Sequence, residues 1–288
     1  MAHFELMPLE KEEFRILNAI ELSMRKFEWV PFKNIVFYAR YDPEEVQFWL
    51  DKVHKKDLII RKTGKEQRYV LNSKGYDLLA LHALAEKDIV VSIGNSLGMG
   101  KESDVYQGLD ANGERVALKF HRIGRTSFRD IKRKRDYARG KGHTSWLYMC
   151  RLSARKEADY LEQLKEYDLN VPILLGYNRH VIVLELYEGQ ELHEFPDLED
   201  PEGLFAEIKE SVRTLYRDAG IVHADLGEFN LIYTIDKELL IIDWPQAVSV
   251  DHPNAKDFLY RDIENICHFF QKHGVQSDIM GIFNEIVG

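Results

Sequence analysis

The first part of the chain spaces its apolar residues as amphipathic helices do. One helical face of LEKEEFRILNAIELSM is apolar, at Phe14, Leu17, Ile20 and Met24. A later helix is predicted over about residues 43–56, where Asp42 can serve as N-cap, Pro43 takes the first helical position and Glu45 completes a capping box. The pattern therefore predicts a run of short helices at the start of the chain.

Two short strand-like segments follow these helices. DLII and QRYVLN can pair across the turn KTGK, and another helix is expected before about residue 85. Three helices and a β-hairpin are the order of a winged-helix domain, whose third helix is the usual nucleic-acid reader. Residues 52–68 carry a net charge of +5, which suits contact with phosphates. Winged helices also serve as docking modules for proteins, so the residues leave both kinds of partner open.

After residue 88 the pattern changes from helices to strands. DIVVSIG, SDVYQGLD, ERVALKFH and HVIVLELY are strand-like, and the Asn112-Gly113 pair between the second and third is a strong hairpin signal. From about residue 200 the pattern is mostly helical, and Gly189 is a candidate hinge just before that change. We therefore expect an α+β fold with an N-terminal winged-helix domain over residues 1–88 and a second domain over residues 89–288, whose lobes are about residues 89–188 and 189–288.

Composition bounds the class of protein. The chain has 288 residues, 45% of them hydrophobic, and no apolar stretch approaches the roughly 18 residues that span a bilayer. The N-terminal segment lacks the basic start and apolar core of a signal peptide. We therefore expect a soluble, cytoplasmic protein without a membrane partner. Cys150 and Cys267 are far apart, and no disulfide framework or zinc site is indicated.

Charge is distributed unevenly along the chain. The net charge is −9, yet residues 1–90 are neutral, residues 91–156 carry +9 and residues 157–288 carry −18. A chain divided in this way can present a basic face to a polyanion while it stays acidic elsewhere.

A glycine-rich stretch and a strand lysine are the first candidates for chemistry. In GNSLGMGKESDVYQG, glycines let backbone N–H groups approach phosphate oxygens, and Lys101 and Ser103 can add a charge and a hydroxyl donor. The stretch is not a Walker A sequence, because no Gly-Lys-Ser/Thr leads into a helix. In VALKF, Lys119 is a charge among apolar residues, which is costly unless an acid or a ligand phosphate pairs with it. Glu157, on a helix predicted over about residues 151–165, is a candidate partner.

Three polar residues further along the chain match a phosphoryl-transfer site. IVHADLGEFN contains Asp225 and, five positions later, Asn230, and Asp243 follows a strand-like segment. In such a site one carboxylate takes or orients the proton of the attacking hydroxyl, while an amide and a second carboxylate hold Mg²⁺ against the phosphates. A glycine-rich hairpin, a strand Lys, a helix Glu, an Asp-x₄-Asn loop and a strand-ending Asp therefore follow one another in the expected order.

Four motifs stand in this order along the chain: GKESDVY, VALKFHRIGRTSF, IVHADLGEFN and IIDWPQAVSVDHPNAKDFLYRD. Together they resemble the Rio family of atypical protein kinases, in its branch with an N-terminal winged helix, and the resemblance covers essentially the whole chain. It implies a winged-helix domain followed by a bilobal protein-kinase-like domain.

The resemblance also implies ligands and residue roles. Lys119 matches the lysine that binds the ATP phosphates, Glu157 its helix partner, and the backbone of Glu185 and Tyr187 the adenine-binding hinge. The residues implied to act in catalysis or to bind metal are the catalytic Asp225, the metal-binding Asn230 and the metal-binding Asp243. The implied cofactors are ATP and Mg²⁺, for which Mn²⁺ can substitute.

On this resemblance we expect an ATP- and Mg²⁺-dependent serine/threonine kinase and ATPase that acts in maturation of the small ribosomal subunit, through a phosphoaspartate at Asp243. The expected partners are the pre-ribosomal small subunit and its rRNA, contacted by the winged helix and by residues 122–142, whose net charge is +7. An alternative is a winged-helix RNA-binding assembly factor that uses nucleotide only as a conformational switch. A small-molecule phosphotransferase shares the His-x-Asp-x₄-Asn pattern, but that reaction gives no reason for the winged helix and the basic segment.

Overall fold

The computed structural model describes residues 9–123 and 146–288. Packing divides the chain into two compact units. The first is formed within residues 1–155 together with Leu175–Val183, and the second within Lys156–Leu174 together with Leu184–Gly288.

The first unit begins with the predicted order of helices and hairpin. A three-stranded sheet of order β1-β3-β2 accompanies four helices. The elements are α1 (Lys11–Met24), β1 (Val30–Pro31), α2 (Phe32–Ala39), α3 (Pro43–Lys55), β2 (Ile59–Lys62), β3 (Arg68–Leu71) and α4 (Ser73–Ala85). Leu17 and Ile20 of the predicted apolar face of α1 are fully buried, and Phe14 and Met24 pack against the same core. The winged-helix order is confirmed.

The start of α3 differs from the prediction in one detail. Asp42 has the extended backbone of an N-cap, but its side chain makes no capping hydrogen bond, so the predicted capping box with Glu45 is wrong. Pro43 stands at the first helical position, where its fixed φ favours the helix start without a cap. A bond of the expected type occurs on α1 instead, where the Glu10 N–H donates to Glu13 Oε2 at 2.8 Å.

Helix α4 is buried on more than one face. Tyr76, Leu78 and Leu79 belong to the core that α1 and α3 share, whereas Ala80, Leu81 and Leu84 pack in a second core. This second core includes Val116, Leu118 and Phe120 of a neighbouring sheet strand and Val181 and Val183 of another. The helix therefore joins the winged-helix elements to the sheet that follows them.

The sheet of the first unit has five strands in the order β4-β5-β6-β8-β7. Its strands are β4 (Ser92–Met99), β5 (Ser103–Leu109), β6 (Arg115–His121), β7 (Leu174–Asn178) and β8 (Val181–Glu185). The predicted Asn112-Gly113 turn joins β5 to β6, and Gly113 has a φ of 84°, which favours glycine. Helix α5 (Trp146–Leu164) precedes β7 in the chain.

A buried ion-pair network lies where α4 meets the end of β6. The Arg122 guanidinium donates to both carboxylate oxygens of Asp77, at 2.7 and 2.8 Å, and to Asp104 at 3.1 Å. His180 Nε2 lies 2.7 Å from Asp77 Oδ1, and its ring stacks on Tyr76 with a centroid distance of 4.6 Å. Burial opposes ionisation of Asp77, but the hydrogen bonds from His180 and Arg122 hold its pKa below the ordinary value.

The second unit combines helices with two small antiparallel sheets. Strands β9 (Gly189–Glu191), β11 (Leu231–Thr234) and β12 (Leu239–Ile241) form one sheet of order β12-β11-β9, and β10 (Ile221–Val222) pairs with β13 (Val248–Ser249). The helices are α6 (Pro201–Arg217), α7 (Ala255–Lys272) and α8 (Ile279–Val287). The mostly helical character expected after residue 200 is confirmed, and the short strands β10 to β13 interrupt it.

Gly189 has a packing role in the second unit. It begins β9 opposite Thr234, and a Cβ at this position would lie 2.5 Å from the carbonyl oxygen of Tyr233. Close approach to β11 therefore explains the glycine without the predicted hinge. The domain division at residue 88 stays a prediction, since the first compact unit extends on both sides of it.

Other sequence expectations concern cysteines and membrane spans. Cys150 and Cys267 are both buried free thiols. Within residues 9–123 and 146–288, no helix is long and apolar enough to cross a membrane.

The Arg122 network generates a stability prediction. Asp77→Ala should lower the free energy of unfolding by about 3–5 kcal/mol, because it leaves a buried guanidinium without its main acceptor. The matched control is Glu66→Ala, since the Glu66–Arg68 pair is largely exposed and such pairs contribute about 0–1 kcal/mol. Urea unfolding followed by tryptophan fluorescence measures both. Equal losses in the two variants would contradict the role of the network.

Candidate active site

The glycine-rich stretch forms the end of β4 and the turn into β5. The Gly100 N–H donates to the Ser103 carbonyl at 2.8 Å, which closes a tight turn with Lys101 exposed at its tip. The register between the strands shifts twice, between Ile93 and Ser96 and again before Gly98. The turn therefore presents Lys101, with the half-buried Ser103 at the start of β5, as the sequence predicts for a phosphate-binding hairpin.

Lys119 lies in the middle of β6, where its backbone pairs in register with Val105. The residue is only 7% exposed, between the fully buried Leu118 and Phe120, which is 3% exposed. An ammonium so removed from water is favourable only where an anion stands near it. The structure thus confirms the apolar strand setting that made Lys119 a candidate.

Glu157 belongs to the part of α5 that lies in the second unit. It is 1% exposed, and its Oε1 accepts a hydrogen bond from the Trp244 N–H at 3.3 Å. Trp244 directly follows Asp243, so this carboxylate fixes the backbone beside a predicted metal ligand. The sequence did not predict that contact.

Asp225 stands out from a buried loop. Its side chain is exposed, while the residues on either side, Ala224 and Leu226, are 5% and 1% exposed. Ala224 has a φ of 65°, a left-handed conformation that is uncommon for a residue with a Cβ. Backbone of this kind persists only where its surroundings enforce it, and it is enriched at functional sites.

Hydrogen bonds bring the Asp225 loop and the Asp243 segment together. Asn230 Nδ2 donates to the Asp225 carbonyl at 2.6 Å, and the Ile242 N–H donates to the Asn230 carbonyl at 3.0 Å. His223 Nε2 lies 3.0 Å from the Ile242 carbonyl. Asp243 itself has a φ of 70°, the second left-handed residue of this region. The structure therefore places the three predicted catalytic and metal-binding residues on one bonded framework.

Asp262 on α7 is a residue that sequence reasoning missed. Its carboxylate accepts the Ala224 N–H at 2.7 Å and the Leu226 N–H at 3.0 Å, the two amides that flank Asp225. Burial raises the pKa of Asp262 to about 7, against the lowering effect of those two bonds. The neighbouring Arg261 guanidinium bonds the Ala224 carbonyl. An acid on the apolar face of a helix was the available signal, because Asp262 falls between Leu259, Ile263 and Ile266 at helical spacing.

The two predicted hinge residues lie in the second unit, Glu185 as the last residue of β8 and Tyr187 two positions after it. The Glu185 N–H already donates to the Ile173 carbonyl at 3.0 Å, so the candidate groups for an adenine are the Glu185 carbonyl and the Tyr187 backbone. The Tyr187 hydroxyl donates to Glu185 Oε2 at 3.2 Å. Burial, together with the charge of Glu185, raises the pKa of Tyr187 above its ordinary value.

The donor atoms suit a hard cation. Because Asn230 Nδ2 is engaged with the loop, its amide oxygen is the atom left to bind a metal, and Asp243 adds a carboxylate. Mg²⁺ prefers oxygen ligands and is commonly held by one or two carboxylates with substrate phosphates. Asn230 and Asp243 therefore fit Mg²⁺.

Two family models match the chain. One is the Rio2 N-terminal domain, over residues 6–87, and the other is the RIO domain, over residues 104–281. Together they cover most of the sequence, in the order expected from its motifs.

Curated relatives and solved structures agree with these matches. The chain is 40% identical to the serine/threonine-protein kinase RIO2 of Caenorhabditis elegans over 96% of this chain, and spans 53% of that protein. It is also 40% identical to the RIO-type serine/threonine-protein kinase Rio2 of Methanocaldococcus jannaschii, over 88% of this chain and 94% of that protein.

Among solved structures, the Rio2 kinase-ADP/Mg²⁺-phosphoaspartate complex from Chaetomium thermophilum matches with a TM-score of 0.84 at 33% identity, over 98% of this chain and 86% of that one. A second Rio2 kinase structure from the same organism gives a TM-score of 0.82 at 32% identity, over 99% and 88% of the two chains. The chain therefore belongs to the RIO family of atypical protein kinases, in the branch whose RIO domain follows a Rio2-type N-terminal domain.

Proposed function

We propose that this chain is an ATP- and Mg²⁺-dependent serine/threonine kinase and ATPase. The observation that carries the proposal is the bonded framework of Asp225, Asn230 and the Asp243 segment, with the flanking amides of Asp225 fixed by Asp262. A preorganised carboxylate beside an oxygen-donor metal site is the arrangement that phosphoryl transfer needs.

Each remaining candidate has a role in this proposal. Lys119 contacts the ATP phosphates, and the turn that carries Lys101 and Ser103 covers them. The backbone of Glu185 and Tyr187 binds the adenine. A bound Mg²⁺ neutralises charge on the phosphates when it is held by Asn230 and Asp243.

Glu157 stabilises the backbone next to Asp243. Its bond to the Trp244 N–H holds the left-handed backbone at Asp243 in place, and the predicted role as helix partner of Lys119 is part of the same proposal.

A phosphoaspartate at Asp243 is the second part of the proposal. The segment after Asp243 contains only the short strand β13 before α7 begins at Ala255, which leaves little chain to build a groove for a peptide substrate. In this step a carboxylate oxygen of Asp243 attacks the γ-phosphorus, the bond to the β–γ bridging oxygen breaks, and ADP leaves. Asp225 then orients the water that hydrolyses the acyl phosphate. The solved Chaetomium thermophilum complex named above contains a phosphoaspartate, which supports this step.

The third part of the proposal concerns the partner. We propose that the protein acts in the cytoplasm in maturation of the small ribosomal subunit and contacts rRNA through the winged helix and the basic residues 122–142. Apart from Arg122 and Ile123, that basic segment lies outside the described residues. Arg122 is paired with Asp77 and Asp104, and residues 123–142 keep a net charge of +6, which supports the contact because phosphate binding dominates RNA affinity. The alternative is that nucleotide acts only as a conformational switch.

Turnover separates the two possibilities. Lys119→Ala and Asp225→Asn should each lower multiple-turnover phosphate release from Mg-ATP by about 10²–10³-fold, because each removes a preorganised group aimed at the transferring phosphoryl. Asp236→Asn, an exposed change in the turn between β11 and β12, is the control and should match the parent. A parent protein that binds ATP but does not turn it over would support the switch alternative.

Acid quenching after incubation with γ-labelled ATP and Mg²⁺ tests the acyl phosphate. Label should appear on the parent protein, be released by hydroxylamine and be absent from Asp243→Ala. Asp251→Ala, an exposed change in the same segment, should retain it. Label that resists hydroxylamine, or that persists in Asp243→Ala, would indicate transfer to a serine or threonine instead.

Affinity capture tests the partner. The Asp243→Ala variant, blocked in the proposed cycle, should retain precursor rRNA of the small subunit more strongly than the parent when it is captured from its own cells. Sequencing of the bound RNA measures this. Capture without enrichment of small-subunit RNA would count against the ribosomal role while leaving the enzymatic proposal standing.

A further inference from the structure

A groove with a volume of about 970 Å³ lies within the first unit, between α1, the start of α5 and the hairpin of β7 and β8. We call it the α1–α5 groove. None of the residues that line it belongs to the candidate active site described above.

Two helices line the groove with matching faces. Helix α5 contributes Leu147 and four positions at spacings of three, four and seven residues, namely Tyr148, Arg151, Leu152 and Arg155. Helix α1 and its C-cap Arg25 repeat this spacing at Asn18, Glu21, Leu22 and Arg25, and Met24 also lines the groove. Each helix therefore presents one row of side chains to the groove. Each row spans seven residues, which is about 10.5 Å at a rise of about 1.5 Å per residue.

Positive charge dominates this lining. Among the described residues, five cationic side chains and one acidic side chain, Glu21, line the groove. Glu21 is already neutralised by Arg179, whose guanidinium donates to both of its oxygens at 2.7–3.1 Å and is fixed further by Asn18 at 2.9 Å. Arg25 and Lys87 are exposed, and Arg151 shares Glu21 with Arg179 as an ion pair at 3.6 Å. The described lining therefore carries a net positive charge, and its exposed cations Arg25 and Lys87 can contact an anion.

The cations on α3 and on the hairpin of β2 and β3 are paired more fully than the cations of the groove. Three of them already form ion pairs with acids of the same unit, as Lys52–Glu10, Lys56–Glu13 and Arg61–Asp51. A phosphate would have to compete with those carboxylates. The sequence count of +5 over residues 52–68 therefore overstates the charge that this surface offers a polyanion.

Two tyrosine side chains line the groove beside the cations. Tyr148 and Tyr177 line it and are each 39% exposed, so part of each ring can be covered by a ligand. Exposed aromatic rings beside cations are the elements with which proteins bind single-stranded nucleic acid, by stacking bases and neutralising phosphates. Acidic peptides use the cations but gain less from the rings.

We propose that the α1–α5 groove binds a single-stranded nucleic-acid segment of about three nucleotides, at a stacking rise of about 3.4 Å per nucleotide. Arg25, Lys87 and Arg151 contact its phosphates, and Tyr148 and Tyr177 stack on its bases. The proposal deepens the RNA-contact part of the proposed function and supplies a site distinct from α3 and from residues 124–145.

Fluorescence anisotropy with a labelled oligouridine of about 12 nucleotides tests this site in the full chain. The combined Arg25→Ala, Lys87→Ala and Arg151→Ala changes should weaken binding at least about tenfold and make the slope of log affinity against log salt shallower by about 2, since each single-strand phosphate contact contributes about 0.7. Tyr148→Phe should retain most of the affinity, whereas Tyr148→Ala should lose at least about fivefold through lost stacking.

The matched control removes three exposed cations of the same unit that do not line the groove, by Lys26→Ala, Lys33→Ala and Arg40→Ala. The groove variant must lose more affinity and more salt slope than this control. Equal losses would show a diffuse charge effect and overturn the proposal. So would a groove variant that binds oligouridine like the parent but loses affinity for a labelled polyglutamate peptide, which would identify an acidic protein segment as the ligand.

Cross-linking with 4-thiouridine in the same oligomer locates the contact. Adducts on Tyr148 or Tyr177 support the groove, and adducts found only on α3, its hairpin or residues 124–145 overturn it. ATP turnover without RNA should be the same in the groove variant and the parent. A parent that binds RNA at the groove but lacks turnover would contradict the proposed enzymatic function alone.

Discussion

The buried charge of Arg122 is the constraint on which the first unit depends. A guanidinium can leave water only where acids meet it, and Asp77 and Asp104 supply them from α4 and β5. Arg122 directly follows β6, which carries Lys119, so the network fixes one end of that strand against the helix. Arg122 has no part in the chemistry, but it thereby helps to set the position of Lys119, the candidate that contacts the ATP phosphates.

The second unit uses a buried carboxylate in a different way. Asp77 faces cations, so its pKa lies below the ordinary value despite burial, whereas Asp262 meets the neutral N–H groups of Ala224 and Leu226 and its pKa is raised to about 7. Asp77 holds the side chains of Arg122 and His180, whereas Asp262 holds backbone. Asp262 does so around Asp225, where the left-handed residue Ala224 would be unfavourable without such support.

Much of the fold and of the candidate site could be predicted from the sequence, because the relevant signals are local. Helical spacing identified α1, helix-start residues identified α3, the Asn112-Gly113 pair identified a hairpin, and an isolated charge among apolar residues identified Lys119. Features that depend on contacts between distant residues could not be predicted in this way. The pairing of Lys52 with Glu10 joins positions far apart in sequence, and the bond from Asp262 to the Asp225 loop spans still more of the chain.

Local signals also misled where two physical causes favour the same residue. A glycine suits a hinge and equally suits a close approach of strands; Gly189 makes the close approach, and the hinge stays a prediction. An Asp before a Pro suggests a capping box, but Pro43 alone suffices to begin α3, and no capping bond forms.

The burial of α4 in two cores limits how either part of the protein can be exchanged by recombination. Ala80, Leu81 and Leu84 cover apolar residues of the sheet, while Tyr76, Leu78 and Leu79 on the same helix complete the winged-helix core. If recombination replaced the winged-helix domain together with α4, the sheet would lose the residues that cover its apolar face. If α4 stayed with the sheet, the winged-helix core would lose Tyr76, Leu78 and Leu79. The winged-helix domain and the sheet are therefore joined by one shared core helix, although two family models describe them.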